Sequence, residues 1–258
     1  MTRKNETKLN HFLVNAPSGE VLTSDWLESH GVSSKLAWWY VHTGLLENLG
    51  AKAYKKTGDK IGWAGVVSAL QNQLSLPVHI GGKTALQLLG LAHFMMMQAS
   101  NRVELFAPLG IKLPKWMKNT KWNTEFSMVR TSIFNDPDNQ LGIIKQTIDG
   151  KELQLSCPER AAMELLYLYP QSESFDEVVY LMENLNQLRP KVVQTLLESC
   201  SSVKVKRLFL HLAEEFNHPW VSALDLNKID LGQGKRVMET GGKYYPKYKI
   251  SLPEIKEQ

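Results

Sequence analysis

The stretch TSDWLESHGVSSKLAWWYVHTGLLENLGAKAYKKTGDK, residues 23–60, decides the fold. Thr23 and Ser24 can cap a short helix through Leu27 and Glu28. Gly31 stops that helix, because only glycine turns so sharply without a Cβ penalty. Ser33 or Ser34 then caps a second helix that ends at Gly44. Two short helices joined by a tight glycine turn form a helix-turn-helix. The run LLENLGAKAYKKTGD that follows reads as a β-hairpin with a basic tip and a turn at Gly58-Asp59, which makes the motif winged.

Such a stretch places side chains and does no chemistry of its own. On the second helix Val32, Leu36, Tyr40 and Val41 share one side. Ser33, Ser34, Lys35, Trp38, Trp39 and His42 lie mostly on the other. A recognition helix presents the polar residues of its first turn to base edges in the major groove. From the wing, Lys52, Lys55, Lys56 and Lys60 would bring charge near phosphates. A solvated helical hairpin packed on a partner protein is the competing reading. One tryptophan of the Trp38-Trp39 pair is expected in the core, since large aromatics bury most of their area.

Outward from this motif, Leu9, Phe12 and Leu13 recur at helical spacing over Asn5 to Val14, and Arg3, Lys4 and Lys8 precede or line that helix as a basic arm or as solvated surface. After the wing, Trp63, Val66, Val67, Leu70 and Leu74 mark another helix. Val78–Ile80 reads as a strand and Lys83 to Phe94 as a helix. Residues 1–95 carry nine Lys or Arg against six Asp or Glu. Between strand and helix, HIGGKT at residues 79–84 invites a phosphate-loop reading. The first glycine of that pattern would fall at Pro77, so Gly81 and Gly82 are read as a helix cap.

From about Asn101 the pattern changes. Strands are expected over Val103–Ala107, Phe126–Ile133, Ile143–Ile148 and Leu153–Leu155, the last two joined by an Asp149-Gly150 hairpin. Pro158 opens a helix from Glu159 to Tyr169, and three more helices follow near 174–187, 190–200 and 203–217. Strands before helices indicate an α+β domain. The tail adds two strands, near Val237 and over Tyr245–Ile250. Lys235, Arg236, Lys243, Lys247 and Lys249 interleave there with Tyr244, Tyr245 and Tyr248, a mixture that suits a phosphate or partner surface as well as a solvated edge. The expected organisation is a winged helix-turn-helix domain over 1–95 and an α+β domain over 96–258.

The totals agree with this division. A chain of 258 residues holds two ordinary domains. A net charge of +4 fits an acidic partner such as nucleic acid. Two cysteines, Cys157 and Cys200, form no disulfide framework or zinc cluster and suit a reducing compartment. MTRKNETKLNHF lacks the apolar core of a signal peptide, and no apolar run approaches the ~20 residues of a membrane span. A cytoplasmic protein is expected.

Catalytic patterns fail one by one. His211, Glu215 and His218 lack the H-E-x-x-H spacing that puts two ligands on one helix face. Asp136 and Asp138 flank Pro137 in a turn. Cys157 precedes a helix N-terminus, which would lower a thiol pKa, but no histidine is near it in sequence. No serine sits in a G-x-S-x-G elbow. Neither metal nor cofactor is called for. The remaining enzymatic reading is a nucleic-acid-processing enzyme with a winged-helix targeting domain, which would need a converged acidic or metal-ligand cluster in residues 100–258.

The whole chain resembles the AbiEi antitoxins of type IV toxin–antitoxin systems. The likeness covers residues 21–59, from VLTSDW to KKTGD, continues through GGKTALQLLG at 81–90, and ends in LSCPERAAMELLY at 155–167, similar to the family's S-x-P-E-R-A segment. The matching residues there are Ser156, Pro158, Glu159, Arg160 and Ala161. Trp38-Trp39 stands where members often carry smaller or basic residues. The resemblance implies an N-terminal domain that binds inverted repeats in the promoter of its own operon and represses it. It implies a C-terminal domain that opposes a nucleotidyltransferase-like toxin without requiring a stable complex. Glu159 and Arg160 are open to a structural reading, an ion pair at the helix start, or a functional one.

Overall fold

A computed structural model describes residue 12 and residues 14–92, 101–239 and 241–255 of the chain. In chain order, β1 (Leu22–Thr23) runs into α1 (Ser24–Ser29) and α2 (Ser34–His42), then β2 (Leu46–Gly50), β3 (Ala53–Lys56) and α3 (Trp63–Ser68). Next come β4 (His79–Ile80), α4 (Gly82–Leu88), β5 (Arg102–Ala107), α5 (Lys115–Asn119) and β6 (Glu125–Arg130). The hairpin β7 (Ile143–Ile148) and β8 (Lys151–Ser156) leads to four helices: α6 (Pro158–Leu168), α7 (Phe175–Glu183), α8 (Pro190–Ser199) and α9 (Val203–Glu215). Three short strands close the chain, β9 (Arg236–Val237), β10 (Lys243–Tyr245) and β11 (Ile250–Leu252). The fold is α+β, as the order of strands and helices predicts.

The residues divide into two compact units. One gathers the chain up to Val78 with Gly110–Phe126 and Lys145–Gln154; the other gathers His79–Leu109, Ser127–Ile144 and the residues from Leu155 onward.

The first unit is built on a winged helix-turn-helix. Thr23 caps α1 by accepting the Trp26 N–H at 3.2 Å, and Gly31 makes the turn at φ +79°. Ser33, not Ser34, caps α2, accepting the Leu36 N–H. Leu27, Val32, Ala37, Tyr40 and Leu46 bury themselves with Leu22 and Phe12, and the Phe12 and Tyr40 rings stack at 5.2 Å. The sheet runs β1-β3-β2, all antiparallel. Its hairpin turns at Ala51 and Lys52, both at positive φ, so the wing tip lies there; the expected turn at Gly58-Asp59 also forms, past the end of β3, with Gly58 at φ +83° and the Asp59 N–H donating to Lys56 O. The helix expected over residues 5–14 falls largely outside the described residues; Ala16 N–H closes its last turn on Phe12. α5 packs against β2, where Thr120 Oγ1 donates to Leu49 O at 3.3 Å. Beneath it Trp116 and Met117 are buried, and Trp122 packs edge-on against Trp116.

Strand pairing in the main sheet follows the order β6-β5-β4-β8-β7. Within the second unit β4 pairs antiparallel with β5 and parallel with β8, through Ile80 and Leu155. α6 is the central helix, packed on α4, α7, α8 and α9. Its residues Ala161, Ala162, Leu165 and Leu166 are all buried, as their spacing predicts. Arg207 of α9, also buried, donates to the carbonyls of Leu231 and Gly234 at 2.7 Å and of Lys249 at 3.3 Å, which ties the tail to the helices.

Candidate nucleic-acid interface

On α2 the outward residues are Ser34, Lys35, Trp38 and His42, with Ala37 and Tyr40 facing the core. Spacings of three and four place them in one stripe along the helix. Trp38 is 63% exposed, an unusual position for the largest apolar side chain. Its ring lies flat on His42, with centroids 4.9 Å apart and planes 13° from parallel, which fixes its orientation. Ser34 Oγ donates to Glu28 at 3.0 Å across the turn between the two helices. Trp39 leaves the outward group, which meets the expectation that one tryptophan of the pair turns inward. It packs partly buried against the core cluster, so it is the inward member of the pair.

The wing lysines separate into two groups. Lys52, at the hairpin tip, and Lys60 are exposed. The Lys52 carbonyl accepts both the backbone N–H and the hydroxyl of Ser24, which ties the tip to the start of α1. Lys55 and Lys56 instead lie on β3, opposite Glu47 and Leu46. Lys55 Nζ is 3.0 Å from Glu47 and donates to Asp59 O; Lys56 Nζ donates to Ala16 O at 2.7 Å. Lys55 and Lys56 thus lie between two turns, the hairpin at Ala51-Lys52 and the turn at Gly58-Asp59, and not at the tip. Arg3 and Lys4 lie outside the described residues.

The S-x-P-E-R-A segment builds a buried polar cluster in the second unit. Glu164 of α6 is fully buried. Its Oε1 accepts from His79 Nε2 and Arg160 Nε, both at 2.8 Å. Its Oε2 accepts from Ser156 Oγ at 2.7 Å and from the Gly82 N–H at 3.2 Å. Burial alone would raise this carboxyl, but His79 and Arg160 overcome it and hold the pKa down to about 2. Arg160 also donates to Leu141 O and to Asn139 Oδ1, and lies over the Phe134 ring. Glu159, although next in sequence, is held separately. Burial opposes its charge, but three hydrogen bonds from Arg189 bring its carboxyl down to about 2. Glu159 and Arg160 therefore do not pair with each other: Glu159 takes Arg189, and Arg160 takes Glu164.

The same geometry closes the phosphate-loop question. Gly81 is the N-cap of α4, and a Cβ on it would stand 2.2 Å from Glu164 Oε2. The N–H groups of Gly82 and Lys83, where a phosphate would bind, point to Glu164 and Glu104. Glu104 is buried, and burial together with nearby Glu173 pushes its carboxyl up to about 7. Lys83 Nζ bridges Glu173 and Glu177. A cavity of about 270 Å³ opens beside the cluster, lined in part by His79, Phe106, Phe134, Asp136 and Arg160. Cys157 is buried, and burial pushes its thiol up to about 12, against the lowering that its place at a helix start suggested. Among the described residues no group of three His, Cys, Asp or Glu is arranged to hold a metal ion. His218 is tied to Asn186 and Met182, and His211 packs on Tyr245.

In the tail, Lys235 lies over Tyr244, Lys243 over Tyr245 and Lys247 over Tyr248. Lys247 also pairs with Glu214, and Lys243 with Glu254. Arg236 is exposed on β9, and Lys249 is exposed in the turn that precedes β11.

No described helix is long and apolar enough to cross a membrane. No curated protein matches the sequence. The crystal structure of the RV2827C protein from Mycobacterium tuberculosis is similar in fold: 14% identity, a TM-score of 0.64, with 95% of this chain and 90% of that one covered. Residues 5–97 match the model of the "Transcriptional regulator, AbiEi antitoxin N-terminal domain" family. Residues 100–253 match that of "Transcriptional regulator, AbiEi antitoxin, Type IV TA system". With nearly its whole length matched in this order, the chain belongs to the AbiEi antitoxin family of transcriptional regulators of type IV toxin–antitoxin systems.

Proposed function

We propose that this protein binds double-stranded DNA at inverted repeats in its own promoter and represses its operon, and that it opposes a cognate nucleotidyltransferase-like toxin. In this reading residues 1–95 carry sequence recognition and residues 96–258 the antitoxin function, and the protein works in the cytoplasm. The exposed stripe of Ser34, Lys35, Trp38 and His42 on the second helix of the winged motif carries the DNA proposal. That helix is the element such motifs insert into the major groove. The family supports the toxin as the opposed partner. Binding of the full chain to a duplex from its own promoter and to a scrambled duplex, at one salt concentration, tests the first half. Rescue of cells expressing the neighbouring toxin gene tests the second.

The converged carboxylates of the second unit favour one other reading, a nucleic-acid-processing enzyme with a winged-helix targeting domain. Glu104, Glu173 and Glu177 gather around Lys83, and Glu164 around Arg160 and His79. Internal cations and backbone N–H groups already occupy these oxygens, which supports the non-enzymatic reading. Degradation or modification of nucleic acid by the purified protein, abolished by Glu104→Gln, would reverse that choice.

A further inference from the structure

We propose that the segment 110–122 forms a second DNA-contacting element, a row of lysines that seats the phosphate backbone beside the wing. The inference rests on the DNA-binding reading and adds a surface to it. Residues 12–78, which hold the whole described helix-turn-helix and wing, contain five lysines and five carboxylates and so are neutral. Two of those lysines, Lys55 and Lys56, are spent on protein partners. Phosphate neutralisation supplies most non-specific affinity for DNA and a large share of specific affinity. A neutral module therefore needs cations from elsewhere.

Gly110–Phe126 supplies them within the same unit. It carries Lys112, Lys115, Lys118 and Lys121 against one acid, Glu125. All four lysines are exposed, and none forms an ion pair with a described carboxylate, unlike Lys55, Lys83, Lys145 and Lys247. Lys115 and Lys118, three apart on α5, face away from the buried Trp116 and Met117, and Lys112 and Lys121 flank that helix. The Thr120 hydrogen bond to Leu49 O anchors this row three residues from Lys52 at the wing tip. The occupant that fits an uncompensated cationic row continuous with a wing is duplex phosphate.

The test uses the full-length chain with Lys112, Lys115, Lys118 and Lys121 all changed to glutamine. Affinities for the promoter duplex and a scrambled duplex are followed across a salt series. The proposal predicts that both affinities fall together and that the ratio between them stays constant. It also predicts that the slope of log K against log salt shrinks by about 0.9 for each of these lysines that neutralises a phosphate. The all-arginine variant should restore the slope, which separates missing charge from failed folding. An unchanged slope overturns the proposal, whether or not toxin rescue is lost; lost rescue with an unchanged slope would assign the row to a protein partner. If the wild-type chain binds no duplex, this proposal and the DNA-binding reading fall together. If it binds, and Trp38→Ala removes its preference while the glutamine variant keeps the full slope, only this proposal falls.

Discussion

Glu164 Oε1 and Arg160 Nε meet at 2.8 Å inside the second unit, four residues apart on one helix, with both side chains buried. This pair shows why the S-x-P-E-R-A segment carries the residues it does. Ser156 donates to Glu164, Pro158 starts the helix, Glu159 clamps Arg189, and Arg160 spans from Glu164 to the loop carbonyl of Leu141.

Removing one member of such a pair leaves the other charge buried and unpaired. Glu164→Ala is expected to destabilise the protein by about 3–5 kcal/mol. Arg189→Ala should cost less, because the backbone N–H at that position still donates to the buried Glu159 carboxylate. Urea unfolding of the two variants checks the order; equal losses would contradict the cluster's role as the keystone of the unit.

Acid should act through the same groups. Glu159 and Glu164 both have pKa values held down to about 2, below the ordinary 4.5. Their contribution is therefore present above pH 4.5 and is lost as pH falls from there toward 2. Glu104 has the opposite sign. Raised to about 7, it contributes stability fully present below pH 4.5 and lost as pH rises through 7. Glu104→Gln is expected to raise the Tm at pH 8 and to flatten the decline in Tm between pH 5 and pH 8. A lower Tm for that variant at pH 8 would contradict the assignment.

The two adjacent serines of the recognition helix should separate by assay. Ser33 is the cap, so Ser33→Ala should cost about 1 kcal/mol of stability while preserving the ratio of promoter to scrambled binding. Ser34 is exposed on the stripe and donates only to Glu28. Ser34→Ala should leave the Tm near wild type. Thermal melts of the two variants decide this; a lower Tm for Ser34→Ala than for Ser33→Ala would reassign the cap.

Features set by near neighbours in sequence were legible. Thr23, Gly31 and Ser33 announce two short helices, and Asp149-Gly150 and Pro158 mark a hairpin and a helix start at the places where the structure has them. The Gly58-Asp59 turn forms as read, but the wing tip went unread because Ala51 and Lys52 adopt positive φ without being the glycine or asparagine that usually signals it. Glu164 was missed because a glutamate between apolar residues reads as the solvated face of a helix. His79, 85 residues away, and Arg160 make its burial tolerable, together with Ser156 and the Gly82 N–H. The basic row of 110–122 was missed for a similar reason, since nothing local says that it packs with the first unit.

The central claim is that the outward stripe of α2 reads sequence. It is tested most directly by the ratio of affinities for promoter and scrambled duplexes at one salt concentration, for wild type, Lys35→Ala and Trp38→Ala. The account predicts a wild-type ratio of about a thousand or more. It predicts a loss of roughly tenfold in that ratio for each variant, as expected for a base contact worth about 1–3 kcal/mol, with the Tm unchanged. Equal affinity of the wild type for both duplexes, or an undiminished ratio in both variants, would contradict it.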